Sequence, residues 1–277
     1  MATIRRFGIR SVTIWCLIAL VLAISLLPYI WLVMTSLKVR ADIFAIPPVW
    51  WFKPTAESYK VVFIEKGFLF TLRNSIVVAL GTTGMSLAVG VPAAYSFSRY
   101  KLRGGGHLTF LILFTYMCPP IVLAVPFFIM FKTIGLFDTP LALIIAYTTF
   151  NLAFVVWIMK GFFDEVPKSI DQSALVDGCT PFGAFKSVVL PLVAPGMAAT
   201  SIFCFLASWN EFLYALILTA YNSKTLPVAI PGLVTVRGTF WNEIGAVAVT
   251  ISILALIFAF IVQKHLVRGM TFGAVKG

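Results

Sequence analysis

Residues 74–98 read NSIVVALGTTGMSLAVGVPAAYSFS, a run of 25 residues without a charged side chain, set between Arg73 and Arg99. Wound as an α-helix at ~1.5 Å per residue it is ~37 Å long, enough to cross the ~30 Å hydrocarbon layer of a bilayer. A soluble core shows apolar residues in short periodic stretches, so an uninterrupted run of this length reads as a membrane span. Working outward, similar runs occupy residues 11–37, 108–130, 141–159, 187–210 and 244–262, which makes six. The shortest still covers ~28 Å as a helix. Over the whole chain 60% of residues are hydrophobic and 11% charged, against roughly 25% charged in an average soluble protein. A soluble globule is excluded. The expected fold class is an all-α polytopic membrane protein with six transmembrane helices, residues 1–277 forming one transmembrane domain.

Lys+Arg 21 against Asp+Glu 10 leaves a net charge of +11. In a soluble chain this would suggest nucleic acid, but a basic excess is expected beside anionic lipid headgroups, so no nucleic-acid partner is called. Cys16, Cys118 and Cys204 lie in apolar runs and Cys179 in a polar one, with no pair at a metal-ligand spacing. Neither a disulfide nor a metal site is expected. The first run follows Arg5, Arg6 and Arg10, yet it exceeds the apolar length of a signal peptide and no small-x-small cleavage site follows, so it reads as a retained span.

Six spans put both termini on one side. That side then holds 3 + 3 + 3 + 3 = 12 Lys and Arg, from the N-terminus, the second and fourth connections and the tail, against 9 on the other. The positive-inside rule therefore places both termini in the cytoplasm. The first connection carries Pro47, Pro48, Trp50, Trp51 and Pro54, then Ser58, Tyr59, Val62 and Phe63 at roughly helical spacing. Trp and Tyr favour the headgroup level, so it reads either as a loop resting on the outer leaflet or as a surface for an external partner.

The fourth connection gathers the polar residues. Between Lys160 and Lys186 lie Asp164, Glu165, Asp171 and Asp177. Pro167 fits a first helical turn, and residues 168–177 predict a short helix closed by Gly178, which accepts the left-handed C-terminal conformation. Thr180-Pro181 then reads as an N-cap and first-turn proline opening a second helix. Such a hairpin over residues 162–190 must cover Ile170, Ala174 and Leu175. Either it folds back on its own bundle or it docks into a groove on a soluble partner.

The stretch Gln172-Ser173-Ala174-Leu175-Val176-Asp177-Gly178, followed by Val188-Val189-Leu190-Pro191, resembles the EAA loop of ABC importer permeases, E-A-A-x-x-x-G with I-x-L-P after nine further residues. Gly135-Leu136-Phe137-Asp138-Thr139, Trp209-Asn210-Glu211-Phe212 and the C-terminal Gly269-Met270-Thr271-Phe272-Gly273-Ala274-Val275-Lys276-Gly277 are similar to the carbohydrate-importer permeases of the maltose-transporter type. The resemblance covers most of the chain. It implies the type I ABC importer permease fold, a bacterial inner-membrane location, and a pair of cytoplasmic ABC ATPase subunits whose cleft receives the helix around Ser173 and Ala174. It also implies a second, different six-span permease and an extracytoplasmic solute-binding protein. The coupling residues it points to are Asp171, Gln172, Ser173, Ala174, Asp177, Gly178, Leu190 and Pro191. The tail reads by itself as a frayed chain end, whereas the resemblance implies that through Gly273, Ala274 and Lys276 it reaches the ATPase interface.

One departure matters. The family's glutamate is Gln172 here, which keeps length and hydrogen bonding but cannot make a charge-assisted bond. Asp171, one residue earlier, is turned ~100° around the helix. No G-x-x-x-x-G-K-[ST] occurs, and Gly104-Gly105-Gly106 lacks the lysine and strand context of a phosphate loop. No cofactor is expected in this chain, ATP and Mg being left to the partner ATPases.

Residues 187–223 are interrupted only by Glu211, and as one helix would run ~55 Å. A break is expected at Pro191 and Pro195, leaving residues 196–219 as the fifth span. Glu211 then lies ~12 Å from its outer end. A carboxylate at that depth costs ~2.5 to 3.5 kcal/mol against lipid, so it should face the interior, either as a structural group or as part of the solute path. Trp209, Asn210 and Tyr214 lie within a turn of it, and Asn151 lies in the fourth span. Aromatic faces with amide or carboxylate groups suit a sugar, and other polar solutes too. In the third span Pro119, Pro120 and Pro126 predict a kinked helix. A secondary, ion-coupled transporter would place several ionisable groups in its spans, and an enzyme would need a catalytic constellation. One intramembrane acid and two isolated histidines, His107 and His265, favour the permease.

Overall fold

The computed structural model describes residues 9–273 apart from Leu102 and Arg237. The chain divides into two compact units, residues 1–67 with 232–252, and residues 68–231 with 253–277.

In the first unit, helix α1 (Ile9–Leu37) has no buried side chain over residues 13–31. An apolar helix left this bare within its own chain needs lipid or another subunit around it. Beyond it the connection is pinned by polar contacts. The Lys38 ammonium donates to the Val49 carbonyl at 2.6 Å, Ser36 and Tyr59 share a hydroxyl contact of 2.9 Å, and Asn242 donates to Ser58 at 3.0 Å. Lys66 pairs with the buried Glu243 carboxylate. Trp31 and Trp50 meet edge to face at 5.6 Å, while Trp51 stands 95% exposed. The residues described around 234–239 form a two-stranded antiparallel hairpin, Val234 opposite Thr239.

The second unit is built on α2 (Phe68–Arg99) and α5 (Pro140–Glu165). Their backbones approach closely where α2 has glycine: a Cβ on Gly81 would stand 2.7 Å from Ile144, and one on Gly90 2.6 Å from Val155. Small residues at a helix seam are how apolar helices gain packing where lipid offers no hydrophobic drive. Two core clusters lie along α5. One gathers Tyr147, Leu143, Phe131, Tyr214 and Leu218, the other Tyr95, Met159, Phe163, Phe185 and Val189. Thr139 caps α5, its hydroxyl accepting from the Ala142 N–H at 3.2 Å, with Pro140 in the first turn.

Two predicted spans are sharply broken. In place of one kinked helix over 108–130, α3 (Gly105–Met117) and α4 (Pro120–Thr133) meet at 92°. Two successive prolines remove two N–H donors and hold Cys118 extended, at φ −65°, ψ 125°. After the short helix α6 (Lys168–Val176), helix α7 (Pro181–Leu192) bends by 76° into α8 (Ala194–Trp209), at the Pro191 and Pro195 break the sequence signals. The expected helix over 196–219 is interrupted again. It stops at Trp209, leaves residues 210–212 non-helical, and resumes as α9 (Leu213–Leu218). The last helix, α10 (Trp241–Gly273), exceeds the predicted span at both ends. Among the described residues four helices are long and apolar enough to cross a membrane, or up to six spans if each bent pair counts as one.

Candidate coupling site and solute path

Helix α6 ends as its sequence dictates. Gly178 adopts φ +87°, the Cys179 N–H donates to the Ala174 carbonyl at 3.0 Å, and the Gly178 N–H donates to Leu175 at 3.1 Å. This is the Schellman closure, in which a left-handed residue lets the last carbonyls be satisfied. The Thr180 hydroxyl then accepts from the Gly183 N–H at 3.1 Å, starting α7.

The two faces of α6 differ. Asp171 and Ala174 are buried, Ile170 half-buried, and Gln172, Ser173, Leu175, Val176 and Asp177 are exposed. One face thus folds back on the chain's own helices, and the other is exposed. Asp171 lies on the inner face, its Oδ1 accepting from the Tyr95 hydroxyl at 2.6 Å and its Oδ2 lying 2.8 Å from Arg99 Nε. In the second arm Phe185 is buried against Tyr95 at 4.7 Å between ring centroids. Leu190 is half-buried and Pro191 exposed.

Arg99 and Tyr95 are central here, and in the sequence they stand out only as one basic residue at a span end and one aromatic within it. Arg99 closes α2 and also donates to the Phe163 carbonyl at 2.9 Å and the Val166 carbonyl at 3.0 Å, at the end of α5, where carbonyls run out of helical donors. Beside it the Ser98 hydroxyl donates to Asp164 at 2.6 Å, and Lys160 pairs with the same carboxylate.

Of the residues the sequence suggested for a solute path, the structure brings together Asn151, Glu211 and Tyr214. The Asn151 amide donates to Ser208 Oγ at 3.0 Å and to the Tyr147 carbonyl at 3.1 Å. Tyr214 is buried and lies nearly parallel to Phe150, 6.2 Å away. Glu211 sits at the break between α8 and α9, where its two oxygens accept from the N–H groups of Tyr214 and Ala215 at 2.9 and 3.2 Å. Its place in an apolar run is thereby explained, because a negative group at a helix start satisfies free donors and meets the positive end of the dipole. Trp209 turns elsewhere, stacked on Phe205 at 5.4 Å, and Asn210 is exposed, donating to Leu206. Gly273 ends α10, and Ala274 and Lys276 lie outside the described residues.

Asp138 is a further polar centre. At φ +59° its carboxylate accepts from the N–H groups of Ala220, Tyr221, Asn222 and Ser223 and from the Ser223 hydroxyl, at 2.9 to 3.1 Å. Burial alone would raise its pKa, but these donors hold it well below the usual carboxylate value. Across the same segment Asn74 donates to the carbonyls of Asn222 and Lys224, and Ser75 accepts from the Leu226 N–H.

Residues 86–272 match the family described as binding-protein-dependent transport system inner membrane component. A probable ABC transporter permease of Sinorhizobium fredii is 39% identical over 262 residues, covering 95% of this chain and 93% of that protein. The trehalose transport system permease protein SugB of Mycobacterium tuberculosis is 36% identical, over 98% of this chain and all of the relative. Among solved structures, a bacterial ABC transporter involved in the import of the acidic polysaccharide alginate superimposes with a TM-score of 0.76 at 24% identity, covering 95% of this chain and 99% of that one. The fold is that of an ABC importer permease, and the chain belongs to the family of binding-protein-dependent inner-membrane transport components. It is a membrane-embedded permease subunit of an ABC importer, a transport component and not an enzyme. Nothing in these likenesses favours a secondary transporter.

Proposed function

We propose that this permease carries a sugar, polyol, glycoside or similar small polar solute, received from an extracytoplasmic binding protein. It pairs with a second, different six-span permease and two copies of a cytoplasmic ABC ATPase, which bind the ATP and Mg. Each bent helix pair counts as one span in this reading, giving six spans with both termini cytoplasmic, and the bare flank of α1 packs on lipid or on the second permease. The exposed face of α6, carrying Gln172, Ser173 and Val176, docks on the ATPase, and the tail around Gly273, Ala274 and Lys276 reaches the same interface. Asn151, Glu211 and Tyr214 lie along the path, with Trp209 supporting it through Phe205.

The observation that carries this reading is the two-faced hairpin, anchored inward at Asp171 and Ala174 and bare outward at Gln172, Ser173 and Val176. Permeases named for trehalose, for sulfoquinovosyl glycerol and for trehalose/maltose, 32 to 36% identical to this chain, support the solute class. The test is reconstitution with an ABC ATPase, a second permease and a binding protein from the same source. Labelled disaccharides and polyols should enter vesicles only with ATP and binding protein. Uptake of an amino acid in their place, with none of a sugar or polyol, would overturn the solute class.

A further inference from the structure

The Arg99 side chain reaches three helices at once. It leaves the last turn of α2, donates to two carbonyls at the end of α5, and stands 2.8 Å from Asp171 of α6. Its side chain is 6% exposed and that of Asp171 12%. Tyr95, one turn back on α2, donates to the other Asp171 oxygen at 2.6 Å and packs on Phe163 of α5 and Phe185 of α7, at 5.5 and 4.7 Å between centroids. Both arms of the hairpin are therefore fastened to α2 and α5, by charge on one arm and by aromatic packing on the other.

A buried ion pair of this kind resists separation, because parting the charges leaves each in the interior without its counter-charge. The guanidinium fork donates to both carbonyls at once and so fixes where its charge stands beside the carboxylate, which an ammonium does not. A push on the exposed face of α6 then moves α2 and α5 as well and is not absorbed in the loop.

We infer that Arg99, with Asp171 and Tyr95, is the positioning residue that ties the hairpin to the second and fourth spans and so sets how much solute moves for each ATP consumed. This rests on the reading of α6 as the ATPase contact. The measurement is the ratio of solute imported to ATP hydrolysed, in proteoliposomes holding the whole complex and its binding protein. Arg99→Lys keeps the charge and loses the fork, while Asp171→Asn keeps an acceptor for Tyr95 and loses the ion pair. Each should leave the ATPase bound and hydrolysing while the ratio falls on the order of tenfold, within the range of inter-site couplings. Tyr95→Phe removes one hydroxyl and should lower the ratio about threefold, in line with one hydrogen bond. It decides the matter if the other two variants fail to assemble. A wild-type ratio in the assembled variants overturns the inference, as does a loss of hydrolysis and import in strict proportion. Val176→Glu, on the opposite face of α6, tests the underlying reading by a different signal. It should release the ATPase, and if the ATPase stays bound and coupled, α6 is not the contact and the inference falls with it.

Discussion

The Asn151 amide and the Ser208 hydroxyl meet at 3.0 Å between α5 and α8, both side chains buried in helices whose other residues are mostly apolar. The Ser208 hydroxyl in turn donates to the Cys204 carbonyl at 2.9 Å, so the two form a short chain that crosses the helix seam. Hydrogen bonds of this type in a bilayer average ~0.6 kcal/mol, with ~1.7 kcal/mol at the upper end. Asn151→Leu and Ser208→Ala should therefore show a coupling of about 0.5 to 1.5 kcal/mol in a double-mutant cycle followed by unfolding of the solubilised protein. If the pair also lines the path, Ser208→Ala raises the KM for solute with kcat held. An unchanged KM confines it to structure.

Glu211 gives a graded series. Glu211→Gln keeps one acceptor oxygen for the two N–H groups at the start of α9, and Glu211→Leu keeps none. Stability should fall in the order Glu, Gln, Leu, with roughly 1 kcal/mol lost at a cap that is left open. Uptake at matched membrane abundance should follow the same order. Equal uptake in all three would remove Glu211 from the path.

These two sites show where sequence reasoning reached and where it stopped. Spans were legible because apolar length is a local property, and so was the hairpin, whose caps at Thr180 and Gly178 use residues within five positions of each other. The turn at Pro191 and Pro195 was legible for the same reason. The break at residues 210–212 was not, since it depends on the Glu211 carboxylate capturing donors ahead of it, which an unbroken apolar run conceals. Arg99 was visible only as one more basic residue at a span end. Its partner Asp171 sits in a different segment, and no periodicity links two charges that meet only after α2, α5 and α6 have packed. Asp138 is the same case, its partners lying 82 to 85 residues on.

Asp138 predicts an acid-sensitive contact. Its folded pKa lies below the unfolded value, so the carboxylate stabilises the fold fully above the ordinary range near ~4 and loses that contribution as the pH falls below it. Asp138→Asn keeps an acceptor and tolerates positive φ, yet removes the charge. The variant should melt lower than wild type at pH 7, and the gap should narrow as the pH drops from 5 to 3. A constant gap over that range would mean that the charge contributes nothing to holding residues 220–223.

Gly178 is the position where the hairpin is most exposed to a single change. Nothing lies within 4 Å of a Cβ built there, so volume is not the constraint; the constraint is φ at +87°. A β-branched side chain pays roughly 1 to 2 kcal/mol to hold a left-handed conformation, whereas Asn enters it far more readily. Gly178→Asn should therefore assemble and transport close to wild type. Gly178→Val should unwind the closure in which Cys179 reaches back to Ala174, letting the end of α6 shift against the ATPase. Co-purification of the ATPase and its stimulation by loaded binding protein are the two readouts. Both should fall for Val and stay for Asn. If Val and Asn behave alike, the left-handed turn does not set the hairpin's shape, and the loop between α6 and α7 tolerates another path.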